Sequence, residues 1–565
     1  MRLTRSCPFL LLLAACHDSG GGGGGAPGLL TNHGVSGLSV VGRGELWLVR
    51  VREIEQGGLD RNGDGDTLDL VPAVLDLADG SLTDLGLAVS SSPLATVVGE
   101  VLIALGVPES AQGSSDLNGD GDALDTVLHV YDASTRTTTN TALAMASLAP
   151  AIGLGVVAFG VSESAQGATD LDGDGTATGN VLHVFDSRTG ITTSAQRSIT
   201  SRPIFHDHAF AFTTDEASAG ADLNGDGDQD DTSILQTYDL VLGGGVSVPL
   251  AVAGIPLGAL VEDWYTLADE AAQGQDLNGD LDLLDGVLLA VEPHLGSLQP
   301  TAITSFPSPL ALSDGERLAV FATEEDGVDR NGDAVLDDTY AALIEPGPGT
   351  IFVADLPLTF AAQSLALTPH GVAFVVSEDE VGDRNGNGLG GESILHLMDA
   401  MTGTVTSIDL EALTLQAAGD FVVFARLETS GSIQEDRNGD GDVDDLVFSL
   451  LDTRTGLLSD TALAAGGGLV ASAGALLIPF DELAQATDRN GDGDTADLVW
   501  VRHELATGVQ TTLAASIAQV DGVGLADDGR GVLLVRESDH GPFPGTDLNG
   551  DGDTFDLVLH SFQAP

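Results

Sequence analysis

The chain has 565 residues, of which 86 are acidic and 20 basic, and every basic residue is Arg. A formal charge of −66 excludes nucleic acid as a partner, because phosphates attract cationic faces, and argues against electrostatic docking on anionic lipid. Yet 42% of residues are hydrophobic, which excludes a disordered acidic tail, and with aromatics at 4% the core must rest on Val, Leu, Ile and Ala.

At the N-terminus, Arg2 and Arg5 precede an apolar run over 8–15 that is too short to span a bilayer as a helix. The run ends in Leu13-Ala14-Ala15-Cys16, which resembles the lipobox of bacterial lipoproteins. The resemblance implies cleavage before Cys16 and acylation of its thiol and new amino group. Residues 1–15 are then a signal peptide, and 16–27, with six consecutive glycines at 20–25, an anchor and flexible tether. His17, where Asp would retain the protein at the inner membrane, implies sorting to the outer membrane or cell surface. The lipid is the expected membrane attachment. The other reading is an ordinary secretory signal with a chance cysteine. Cys7 lies inside the signal, so the mature chain is expected to hold neither a disulfide nor a thiol catalyst.

From residue 28 onward the chain is periodic. A carboxylate-rich decapeptide begins at Asp60, Asp116, Asp170, Asp222, Asp276, Asp329, Asp383, Asp436, Asp488 and Asp547, ten copies 52–59 residues apart. A fixed period of this size signals a propeller, solenoid or array. In the third unit, 148–154 and 156–163 read as two strands, the acidic loop follows, and 181–186 and 191–197 read as two more around the turn Asp186-Ser187-Arg188-Thr189-Gly190. The same turn recurs at 399–403, 452–456 and 504–508, and no unit shows a 3.6-residue stripe of helical length. Four short strands per unit predict an all-β protein, a β-propeller of ten four-stranded blades over 28–565, with two five-bladed rings as the alternative. The last unit offers strands near 523–526, 532–537 and 557–562 and no fourth. The segment Gly28-Leu29-Leu30-Thr31-Asn32-His33-Gly34-Val35 is left over at the other end and resembles the outer strands of other units, so it is expected to complete the last blade.

In the first decapeptide, oxygen-bearing side chains stand at positions one, three, five and seven (Asp60, Asn62, Asp64, Asp66), glycine at six (Gly65) and an acid at ten (Asp69). Alternating carboxylates on a tightly turning backbone converge, glycine permits the positive φ of such a turn, and hard oxygens at this spacing suit calcium. The loop resembles the first half of EF-hand and dockerin loops and the calcium loops of integrin-type FG-GAP repeats. It departs from both, with Val71 and Val127 at position twelve and the last acid at ten rather than nine. The other full sets are Asp116, Asn118, Asp120, Asp122 and Asp125; Asp222, Asn224, Asp226, Asp228 and Asp231; Asp436, Asn438, Asp440, Asp442 and Asp445. To these add Asp488, Asn490, Asp492, Asp494 and Asp497, and Asp547, Asn549, Asp551, Asp553 and Asp556. The loop of Asp276, Asn278, Asp280, Asp282 and Asp285 has Leu281 at six and is expected to be intermediate. Three are expected to be weak or empty: Asp170, Asp172 and Asp174, with Thr176 and Gly179; Asp329, Asn331, Asp333 and Asp338, with Ala334 and Val335; and Asp383, Asn385, Asn387 and Glu392, with Leu389. The bland alternative is a solvated acidic turn.

Glu53, Glu109, Glu163, Glu216, Glu270 and Glu482 stand six or seven residues ahead of the first Asp. Two readings stay open for them, completing a coordination sphere or satisfying backbone donors at the loop's base. His129, His183, His396 and His560 recur in the third strand and read as packing positions, while His206-Asp207-His208 is the one unrepeated polar cluster of note. Trp47, Trp264 and Trp500 are too scattered for a carbohydrate platform. No catalytic motif appears, so the expectation is a monomeric, calcium-stabilised surface propeller that is not an enzyme, with a protein or polysaccharide partner that the sequence does not name. The alternative is a secreted propeller hydrolase or lyase with calcium as structural ion.

Overall fold

The computed structural model describes residues 30–92, 96–253, 258–260, 263–292, 296–305, 311–313, 316–324, 328–332, 334–336, 339–345, 351–354, 365–491, 493–516, 522–540 and 545–563. The signal and tether, Cys16, Asp333, Asp338 and Asp492 lie outside the described residues.

The third unit shows how sequence becomes blade. Ala151–Gly153, Val156–Ser162, Asn180–Asp186 and Ile191–Ser198 form one antiparallel sheet in chain order, inner to outer. The second and third strands are near-continuous apolar runs rather than alternating ones, because both their faces are covered. Val156, Val157, Ala158, Phe159 and Val161 are all buried. The outer strand is rich in Thr and Ser and largely exposed. The hairpin into it is closed by Gly190 N–H donating to Asp186 O at 2.8 Å, with Gly190 at φ 68°.

Ten such four-stranded sheets follow one another, blades 1 to 10. Ten hydrophobic clusters lie between them, one at each interface of consecutive blades. Leu128 and Val130 of blade 2, for example, pack on Val157, Phe159 and Phe185 of blade 3. Tyr265 and Leu288 of blade 5 pack on Leu318 and Tyr340 of blade 6, and Trp47 and Val49 of blade 1 on Leu534 and Leu559 of blade 10. Unbroken packing from blade 5 to blade 6, with closure of blade 10 on blade 1, makes a single ten-bladed ring and sets aside two rings of five.

Closure uses the N-terminal segment. Leu30–Ser36 pairs antiparallel with Leu557–Phe562, outermost in blade 10. The segment reproduces the outer strand of other blades in detail. Asn32 Oδ1 accepts from Gly34 N and its Nδ2 donates to Leu548 O at 2.9 Å. In blade 2, Asn140 does the same with Ala142 N and Leu117 O. Both strands carry a bulge here, with Gly34 and Ala142 at φ 64° and 56°.

The connection from second to third strand and the connection to the next blade leave the same face, so the acidic loops share one rim. In blades 1 to 5, 7 and 9 the chain makes one short turn just before the loop. Three of these turns are four-residue α-turns, Glu216–Ala219, Glu270–Gln273 and Glu378–Val381, too short to leave a helical stripe in the sequence.

Candidate metal centres on the loop face

The decapeptide folds as a staircase of side-chain-to-backbone turns. Asp60 accepts from Gly63 N at 2.6 Å and Gly65 N at 3.0 Å, Asn62 Oδ1 from Asp64 N, Asp64 Oδ1 from Asp66 N, and Asp66 Oδ1 from Leu68 N. Gly65 takes φ 106°, as position six requires. The intermediate and one weak loop keep this positive φ without glycine, Leu281 at 83° and Ala334 at 70°, a conformation that costs an L-residue about 1–2 kcal/mol.

The Glu ahead of the loop is its anchor. Glu53 is fully buried; Oε1 accepts from Arg61 N at 2.5 Å and Asn62 N at 3.3 Å, and Oε2 from Asp69 N at 3.2 Å. The backbone donors at the loop's base are therefore satisfied by this Glu, as the second of its two readings expects. Every described blade has such a residue, and four escaped the spacing rule: Glu324, Glu378, Glu428 and Glu537 each accept from the loop amides at positions two and three. They stand five, five, eight and ten residues before their loops. Counting from the end of the second strand, where all ten lie, would have found them.

Carboxylate oxygens of Glu53, Asp66 and Asp69 lie within 4.8 Å of one another, as do those of Glu109, Asp122 and Asp125, and of Glu216, Asp228 and Asp231. In blade 5 four groups meet, Glu270, Asp280, Asp282 and Asp285, so the loop ranked intermediate from sequence gathers one acid more than those of blades 1, 2 and 4. In blade 3, Thr176 and Gly179 remove the acids at seven and ten, and Glu163 meets Asp170 and Asp172 instead. A carboxylate at position three there replaces the usual Asn. Burial, reinforced by neighbouring carboxylates, pushes Asp69, Asp125, Asp231 and Asp445 up to about 6 and Asp556 to about 7, against the opposing hydrogen bond from the position-three Asn. Burial likewise raises Asp172.

Position three has a second task that the sequence did not reveal. Asn62 Nδ2 donates to Asp69 Oδ2 and, across the blade interface, to Ala111 O at 3.0 Å. Gln112 of that neighbouring turn returns a bond from Nε2 to Asn62 O and accepts from Ala88 N. Asn118 and Asn224 reach Ala165 O and Ala272 O, and Asn549 of blade 10 reaches Glu55 O of blade 1. In the loop of blade 7, ranked weak from sequence, Asn387 at position five binds Glu392 and, from blade 8, Ser430 Oγ.

His129, His183, His396 and His560 are buried, each Nδ1 bonded to the carbonyl two residues earlier. Trp47, Trp264 and Trp500 are buried in interblade clusters. The His206–His208 cluster sits on the hairpin between inner and second strands of blade 4, on the face opposite the loops, with His208 Nε2 2.7 Å from Asp207 Oδ2.

No family model and no curated protein matches the chain. Among solved structures it is similar to the computationally designed Ika8 protein, at 12% identity over 70% of this chain and 95% of that one, with TM-score 0.32. BamB from Moraxella catarrhalis gives 12% identity over 75% and 94%, TM-score 0.30. The β-propeller domain of the Trilobed protease from Pyrococcus furiosus gives 8% over 64% and 93%, TM-score 0.27. The propeller assignment rests on the chain's own strand topology.

Proposed function

We propose that the chain is a calcium-binding propeller, lipid-anchored through Cys16 at the outer membrane or cell surface, where it serves a structural, adhesion or recognition role toward a protein or polysaccharide. The observation that supports the ion is the meeting, blade after blade, of the strand-end Glu with the acids at positions seven and ten. The donors are all hard oxygens, and their number and spread suit calcium, which takes six to eight, better than magnesium, which keeps its waters. In blade 1, Glu53, Asp66 and Asp69 would hold the ion, with Asp64 beside them, while Asp60 and Asn62 shape the loop.

The test is thermal melting of the purified protein in millimolar calcium and in chelator, together with fractionation of Cys16→Ser. For dissociation constants of about 0.1–1 mM, 1 mM calcium adds about 0.4–1.4 kcal/mol per site, so several sites should raise Tm strongly. The variant should leave the membrane fraction. A Tm indifferent to calcium and chelator overturns the ion, and a membrane-bound Cys16→Ser overturns the anchor.

A further inference from the structure

The distance from the anchoring Glu to its loop varies between blades, and the partner of its second oxygen varies with it. Where it is seven or more residues, at Glu53, Glu109, Glu163, Glu428 and Glu537, Oε2 accepts from the position-ten N–H, at 3.2, 3.0, 2.8, 3.4 and 3.3 Å. In blades 4, 5 and 9 the distance is six, from Glu216 to Asp222, from Glu270 to Asp276 and from Glu482 to Asp488, and in blades 6 and 7 it is five. In blades 4 and 5 the Glu opens an α-turn capped by Asp215 or Asp269. Oε1 still accepts from the loop, Leu223 and Asn224 in blade 4, Leu277 and Asn278 in blade 5. Oε2 of Glu216 and of Glu270 is buried with no hydrogen-bond partner; so is Oε2 of Glu324 and of Glu378 in blades 6 and 7, but the loops there carry Val335 and Leu389 in place of the acid at position seven.

A buried carboxylate oxygen left without a donor is costly, more so than the bond it forgoes. Each of these two carboxylates also meets the acids of its own loop, Asp228 and Asp231 in blade 4, Asp280, Asp282 and Asp285 in blade 5, all within 4.8 Å. An open oxygen facing further anions is satisfied by a cation. In blades 1, 2, 3, 8 and 10 the corresponding oxygen already serves an amide, and full engagement with an ion would draw it away from that bond.

Building on the calcium reading, we infer that Glu216 and Glu270 are direct cation ligands, and that blades 4 and 5 form a class of calcium site tighter than those of the blades whose Glu is amide-bound. In these two blades the α-turn ahead of the loop and the open oxygen it leaves beside the loop acids make the Glu anchor and ligand together, and this outweighs the loss of the glycine at position six in blade 5.

The test is equilibrium dialysis of the full chain with radioactive calcium at micromolar free ion, comparing wild type, Glu216→Gln, Glu270→Gln, the double variant and Glu109→Gln. Gln keeps an oxygen for the loop amides. Each single variant should weaken one tight site at least tenfold, the double variant both, and Glu109→Gln neither. In chelator, Glu216→Gln and Glu270→Gln should melt no lower than wild type, because they remove an unpartnered charge. Glu109→Gln should melt lower, because it disturbs satisfied bonds. A wild type that binds no calcium defeats the calcium reading itself. A wild type that binds while both single variants keep the tight class overturns this inference alone.

Discussion

His560 shows what one buried side chain imposes on the chain. Its ring is enclosed between strands, accepted there because Nδ1 meets Val558 O at 3.0 Å. Burial drives its pKa down from 6.5 to about 4, with His33 and His540 adding to the effect. The folded state therefore holds the imidazole neutral while the unfolded chain protonates it near 6.5. The stability tied to that neutrality is fully present above pH 6.5 and is lost as pH falls toward 4, about 3 kcal/mol in all. Melting of wild type and His560→Gln at pH 7.5 and pH 5 should show the wild type losing more on acidification, the difference between the two proteins reporting this histidine alone. Equal losses would mean the ring is not held neutral. Burial lowers His129, His183 and His396 as well. That these were packing residues was legible from their repetition; that they make the ring acid-sensitive follows only from the enclosure the neighbouring blades provide.

At the scale of the loop, the sequence carried the turn but not its attachments. Asx residues at alternate positions and glycines at four and six dictate local hydrogen bonds within one decapeptide, and these appeared where the spacing put them. The anchoring Glu was seen in six blades because its distance to the loop is nearly constant there, and missed where the turn between strand and loop changes length. The bond from Asn62 to Ala111 was invisible, because it joins residues 49 apart that meet only when blades stand side by side. This distinction separates two variants. Asp120 belongs to an intact loop, and its Oδ1 accepts from Asp122 N. Asn387 belongs to one ranked weak from its sequence, yet it holds Glu392 within its own loop and Ser430 across an interface. Asp120→Ala should reduce the rise in Tm that calcium produces. Asn387→Ala should lower Tm by a similar amount in calcium and in chelator, since hydrogen bonds such as these cost about 1 kcal/mol each to lose whether or not an ion is present. A calcium increment reduced equally by both would show that the sequence-based ranking of these two loops is wrong.

For the whole molecule, ten repeats announced a ring, but repetition alone could not decide between one ring and two. The packing of Tyr265 and Leu288 on Leu318 and Tyr340 decides it. Closure concentrates a large burden on the seven residues Leu30–Ser36. Val35 lies in the cluster with Trp47 and Leu534, Asn32 holds Leu548 O, and Gln56 of blade 1 grips Ser36 N at 2.8 Å. A second clasp, Arg530 of blade 10 on Glu45 and on Leu77 O of blade 1, ties blades 10 and 1 but covers no strand edge. Removal of 30–36 would therefore leave the edge of Leu557–Phe562 open, an unpaired row of backbone groups over an apolar interface, which is a template for intermolecular pairing. Deletion of 30–36 should lower Tm and produce concentration-dependent aggregation by light scattering. Deletion of the glycines at 20–25, which precede the paired segment in the chain, should change neither. If the two deletions melted together and both stayed monodisperse, the last blade would not need its N-terminal strand, and closure of the ring would have to rest on the side-chain contacts between blades 10 and 1.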